Sequence, residues 1–96
     1  MADKYAILKR TVNTYDNECR IVPEYYDSLD EASAAMRELL EDKLREWREW
    51  YERNKLDPDG IIVSRHETMA YLRDDGNLVE WSVHVLHPSR REAETA

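Results

Sequence analysis

The sequence predicts an α+β fold in which one long helix lies on one face of an antiparallel sheet, and three observations predict it. Two β-like stretches open the chain. An unbroken amphipathic segment runs from Ser28 to Asn54, and a strongly marked hairpin is centred on Asp75-Gly76. The expected order is strand, strand, helix, strand, strand (ββαββ). A single domain is expected over residues 1–88, followed by a flexible tail at 89–96, where Ser89-Arg-Arg-Glu-Ala-Glu-Thr-Ala96 offers no apolar side chain larger than Ala.

The first stretch, Tyr5-Ala-Ile-Leu-Lys-Arg-Thr-Val12, has the β-branched and aromatic content of a strand. At period two, Ala6, Leu8 and Val12 share a face, which makes that face the expected core side. Asn13-Thr-Tyr-Asp-Asn-Glu18 is rich in turn formers, and Cys19-Arg-Ile-Val-Pro-Glu-Tyr-Tyr26 reads as the returning strand. Pro23 has no backbone N–H to give, so this strand belongs at a sheet edge or contains a bulge. Cys19, lying in it, is expected as a small buried hydrophobe.

Ser28-Leu-Asp-Glu31 is a capping box, in which the Ser28 hydroxyl meets a free backbone N–H and Glu31 reaches back. Behind it Leu29, Ala32, Met36, Leu40, Leu44, Trp47 and Tyr51 recur every three or four residues, and Leu39 and Trp50 widen the stripe. Glu41 with Arg45 and Glu49 with Arg53 have the favourable i,i+4 order on the other side. About 25 residues at 1.5 Å each make a rod of roughly 38 Å. Strands of seven or eight residues span only about 25 Å, so the carboxyl-terminal end of the helix, with Trp47, Trp50 and Tyr51, is expected to overhang the sheet. Such an overhang needs cover from Ile61–Val63, from a second copy or from a partner.

Lys55-Leu-Asp-Pro-Asp-Gly60 breaks the helix, and Ile61-Ile-Val63 either starts a strand or plugs the helix end. Asp75-Gly76 suits a two-residue type I′ turn. That loop pairs Leu72 with Val79 and Ala70 with Trp81. It makes one face of the hairpin apolar throughout and leaves a mixed set, Met69, Tyr71, Arg73, Leu78, Glu80, Ser82 and His84, on the other.

Composition narrows the function. Ninety-six residues carry 14 Lys+Arg against 21 Asp+Glu, a formal charge of −7. That excess argues against direct nucleic-acid binding, which takes a basic footprint. Six carboxylates from Glu38 to Glu52 suggest a phosphate-like row, but five basic residues from Arg37 to Arg53 interrupt it. No apolar run approaches the length of a membrane span, no secretory leader opens the chain, and the lone Cys19 makes no intrachain disulfide, so a cytoplasmic protein is expected. His66, Glu67, His84 and His87 would need a distorted strand end to share a metal, and the zinc-protease helix pattern fails at Ala70. Two glycines make no phosphate-cradling loop, and no nucleophile motif is present. These readings point away from an enzyme, a cofactor or a metal.

The opening Tyr5-Ala-Ile-Leu-Lys-Arg-Thr11, the acidic capped helix and the closing Tyr71-Leu-Arg-Asp-Asp-Gly-Asn-Leu-Val-Glu-Trp81 resemble small acidic proteins encoded by phages and integrative elements of Gram-positive bacteria. The resemblance supplies no catalytic residues. It implies a setting in which compact acidic proteins bind and block a host defence or regulatory factor, CRISPR effector nucleases included. The expected function is therefore a non-enzymatic protein-binding module, an inhibitor in that setting. Its candidate contact residues are Trp47, Trp50 and Tyr51 on the helix overhang and Tyr71, Arg73 and Glu80 on the uncovered sheet face. The alternative is a homodimeric structural protein joined through the helix-end aromatics.

Overall fold

The computed structural model describes residues 3–86; His87 and the tail expected at 89–96 lie outside the described residues. Within them β1 (Lys4–Asn13) and β2 (Asn17–Tyr26) precede α1 (Leu29–Arg53). A single 3₁₀ turn (Pro58–Gly60) leads into β3 (Ile62–Arg65), β4 (Met69–Arg73) and β5 (Asn77–Leu86). The α+β class stands, but the order is ββαβββ rather than ββαββ. The added strand is the Ile61–Val63 run, which does both things its composition allows: Ile61 enters the core and the residues after it pair with β4. The sheet is antiparallel throughout, in the order β2-β1-β5-β4-β3, so β5 lies at the centre and the long-range pairing of β1 with β5 joins the two hairpin regions.

Pro23 explains the position of β2. This strand is an edge, and its register with β1 breaks between Ala6, opposite Tyr25, and Leu8, opposite Ile21. The irregularity lets Pro23 sit in the strand without costing a ladder bond.

The helix starts as a cap predicts, with Ser28 Oγ accepting from the Glu31 N–H at 3.2 Å. The Glu31 carboxylate reaches one residue further back than expected and accepts from the Asp27 N–H. Met36, Leu40 and Leu44 are fully buried against Ile7, Ala70, Leu72 and Trp81. Each large apolar side chain buried here contributes about 1.5–3 kcal/mol of transfer free energy. Trp81 is 1% exposed at the middle of β5, directly opposite the small Ala70 on β4, as the hairpin register predicts. At the far end the chain leaves α1 through a paired closure: the Lys55 N–H bonds the Glu52 carbonyl and the Leu56 N–H bonds the Tyr51 carbonyl. Lys55 adopts φ 57 to make it, a conformation glycine usually supplies.

Four local expectations are corrected. The core side of β1 is the odd-numbered one: Ile7 is fully buried under α1, while Leu8 and Val12 face away from the helix. Alternation in this strand is ambiguous because both of its faces carry aliphatic residues, and pairing of Ile7 with Val83 decides it. Cys19 is exposed, because its register with Arg10 puts it on the outer face of an edge strand. The turn at Asp75-Gly76 keeps the expected register but is not type I′, since neither residue has a positive φ. Instead Asp74 Oδ1 accepts from the Gly76 and Asn77 N–H groups and from the Asn77 side chain, which closes the turn by side chain rather than by backbone handedness. On the helix surface Glu41 turns away from Arg45 to pair with Arg65 of β3 at 2.8 Å, and Arg45 pairs with Asp42.

Candidate functional site

The six candidate residues fall on opposite sides of the sheet. Trp47, Trp50 and Tyr51 belong to the helix layer, whereas Tyr71, Arg73 and Glu80 point from β4 and β5 to the other face.

The expected overhang is largely absent. β1, β2 and β5 each run ten residues, about 33 Å, so the sheet is nearly as long as the helix. Trp47 and Tyr51 pack against the edge of the core, and the Tyr51 hydroxyl donates to Asp74 Oδ2 at 2.7 Å in the β4–β5 turn. Burial, and then the carboxylate it bonds, push the Tyr51 hydroxyl up to about 12. Burial would raise Asp74 too, but its hydrogen bonds from Tyr51, Gly76 and Asn77 outweigh that and hold it below the ordinary carboxylate value. Trp50, edge-on to Tyr51 at 5.7 Å between ring centroids, stays 50% exposed.

Beneath these aromatics the carboxyl-terminal half of α1 and the ends of β1 and β5 enclose an open cleft of about 660 Å³. Lys9, Thr11 and Val79 form its floor, and Lys43 and Glu46 stand at its side. Lys43 bonds Glu46 at 2.8 Å, which lowers the Glu46 pKa. Partial burial and the nearby Lys43 lower that of Lys9. Opposite charges are interleaved around the cleft, so it presents no single-sign site.

The second surface is broader. Because α1 covers only one side of the sheet, the even-numbered residues of β1 and β5 and the odd-numbered ones of β4 form an uncovered face. Arg10, Glu80, Tyr71 and Ser64 line up across four neighbouring strands, with Arg10 and Glu80 paired at 3.5 Å. One side of this polar row carries Ile21, Leu8 and Met69, with Ser82 between the last two, and the other carries Val12, Leu78 and Ile62, with Arg73 between the last two. Ile21 is 60% exposed, Tyr25 62% and Ile62 46%, while Leu8, Val12, Met69, Tyr71 and Leu78 are half-buried by one another. Arg73 is exposed beside Leu78, and His84 shares a 2.8 Å hydrogen bond with Ser82. At the end of β2, Tyr25 joins this face, whereas Tyr26 packs toward the core. The hairpin register alone already places Met69 and Leu78 on this face, whereas Leu8, Ile21 and Ile62 join it only through the pairing of β1, β2 and β3 with their neighbours. For Leu8 the signal is the second apolar alternation in β1, which becomes readable once Ile7 is placed in the core.

Among the described residues, no group of three or more His, Cys, Asp or Glu side chains is placed to hold a metal ion, and no helix is long and apolar enough to cross a membrane. Comparisons of the chain with protein-family models, with curated proteins and with solved structures find no match.

Proposed function

We propose that this chain is a non-enzymatic, cytoplasmic protein-binding module that works through the uncovered face of its sheet. The observation that carries the reading is the combination on that face of half-exposed aliphatic rows with Tyr71, Arg73 and the Arg10–Glu80 pair. Apolar area with Tyr and Arg within it is the composition of protein interfaces rather than of solvated sheet. The resemblance to small acidic proteins of phages and integrative elements extends the reading to inhibition of a host defence or regulatory protein. The rival reading, a dimer through the helix-end aromatics, is less well supported, because Trp47 and Tyr51 are engaged within the chain and Trp50, itself edge-on to Tyr51, is the one largely exposed ring of the three.

The test compares association of the purified chain with that of Tyr71→Lys, Arg73→Glu and Trp50→Glu, each checked for native circular dichroism. Association that survives Trp50→Glu but weakens at least tenfold in the two sheet-face variants supports the reading; about 1.4 kcal/mol corresponds to that factor. Association unaffected by both sheet-face variants refutes it.

A further inference from the structure

We infer that the occupant of the uncovered sheet face is a second copy of this chain, packed sheet against sheet with the two helices outermost. The inference rests on the reading of that face as a binding surface and names its partner.

Size is the first ground. Three ten-residue strands and the shorter β3 and β4, at about 4.8 Å between strands and about 3.3 Å per residue, make roughly 600 Å² of flat sheet. Side-chain relief raises the accessible area above that figure, toward the roughly 800 Å² per partner of a stable interface. At roughly 600 Å² or more per partner, a face-to-face pair reaches the lower bound of a stable interface, about 1,200 Å² in total, and two sheets stacked about 10 Å apart are a standard way to close such a core.

Charge is the second ground. The molecule carries −7, yet across the five strands the outer face shows Arg10, Arg73 and Glu80, with Lys4 at a corner paired to Asp27. The acidic surplus is instead on α1 and in the turns, at Glu38, Asp42, Glu49, Glu52, Asp59 and Asp75. A strongly basic partner would be drawn to the helix side. The one carboxylate among these strand residues, Glu80, is paired with Arg10, so the sheet face is the part of this surface on which two identical, acidic chains meet without bringing unpaired carboxylates together. In a sheet-to-sheet pair the helices are separated by two sheets, more than one Debye length of about 8 Å at physiological ionic strength.

Pattern is the third ground. A polar row flanked by mainly aliphatic rows, interrupted by Ser82 on one side and by Arg73 on the other, matches itself under a twofold rotation, so mainly apolar rows meet each other while each Arg10 keeps its Glu80. Pairing through the sheet edges is disfavoured by the same structure: Pro23 and the bulge interrupt β2, and β3 is four residues long.

Sedimentation velocity from about 1 to about 200 µM is the direct measurement, a range that brackets a micromolar dimer. The expected result is a concentration-dependent dimer that Leu8→Lys and the more exposed Ile21→Lys each weaken at least tenfold while keeping native circular dichroism. Trp50→Glu is expected to leave it unchanged. Should Leu8→Lys unfold the chain, Ile21→Lys alone decides, because its side chain lies outside the core. A wild-type chain that stays monomeric throughout overturns the second copy as occupant. So does a dimer dissociated by Trp50→Glu and indifferent to Ile21→Lys. The broader reading of the face fails separately, if the sheet-face variants also leave binding to every other protein unaltered.

Discussion

Tyr51 shows how one residue changes meaning between sequence and structure. By spacing it belongs to an apolar helical stripe, yet its hydroxyl clamps the β4–β5 turn through Asp74. Tyr51→Phe keeps the ring and removes the bond, and is expected to cost about 1 kcal/mol, as for a partly solvated hydrogen bond. The same variant should alter the response to pH at both ends. The Tyr51 hydroxyl is held at about 12 in the fold against about 10 in the unfolded chain, so its stabilisation is complete below pH 10 and fades as pH rises through 12. Asp74 is depressed, so its contribution is present above the ordinary carboxylate value and is lost as pH falls through its lowered one. Spectrophotometric titration of the phenols should lose its most alkaline component in Tyr51→Phe, and thermal melts across acid pH should show a shallower loss. Ser33 is a quieter case: its hydroxyl, buried under the sheet, donates to the Glu67 carbonyl at 2.5 Å. Ser33→Ala leaves that acceptor without this donor and should lower stability by about 1–2 kcal/mol in urea melts. Neither bond can be read from spacing, because each joins residues more than 20 positions apart.

Among the elements, α1 was the most legible, since its cap, stripe and breakers all act within a few residues of one another. Its end holds a testable imperfection. Lys55 adopts a left-handed conformation so that the Lys55 and Leu56 N–H groups can satisfy the last carbonyls. Glycine takes that conformation without strain, so Lys55→Gly should stabilise the protein by about 1 kcal/mol, visible as a raised melting temperature. The closing hairpin was legible in register but not in turn type. Cross-strand packing of Ala70 under Trp81 specifies the register, whereas the Asp74 side chain, through bonds to Gly76 and Asn77, selects the turn. β1 is legible as a strand but not in its face, because a strand with aliphatic residues at both parities does not declare which side meets the helix until its partners are known.

For the whole molecule, the consequence of the charge distribution is a salt dependence. If two copies pack sheet to sheet with their acidic helices outward, the residual repulsion between like-charged chains is long-ranged and screened. Raising ionic strength from about 0.01 to about 0.15 M shortens the Debye length from ~30 to ~8 Å and should tighten the dimer. A heterologous complex held by a basic partner would weaken under the same change, and the sign of the slope, followed by sedimentation, tells the two apart. The candidate residues follow the same division by scale. Their types, Trp, Tyr and Arg, were visible one at a time. That Trp47 and Tyr51 serve the interior, while Tyr71, Arg73 and Glu80 share an open face with Leu8, Ile21 and Ile62, depends on how five strands line up.

By itself the sequence determined the α+β class, the extent and cap of the helix, the edge position of the Pro23 strand and the register of the last hairpin. Each of these follows from periodicity, capping or a missing N–H, interactions that act between near neighbours. Tertiary structure alone decided that Ile62–Arg65 is a fifth strand, that β5 lies at the centre beside β1, and which face of β1 is buried. It also converted the expected aromatic overhang into a packed end, because ten-residue strands extend the sheet beneath it. Those outcomes depend on pairing between segments distant in the chain. There the free energy lies in burying one apolar surface against another, which no single segment encodes.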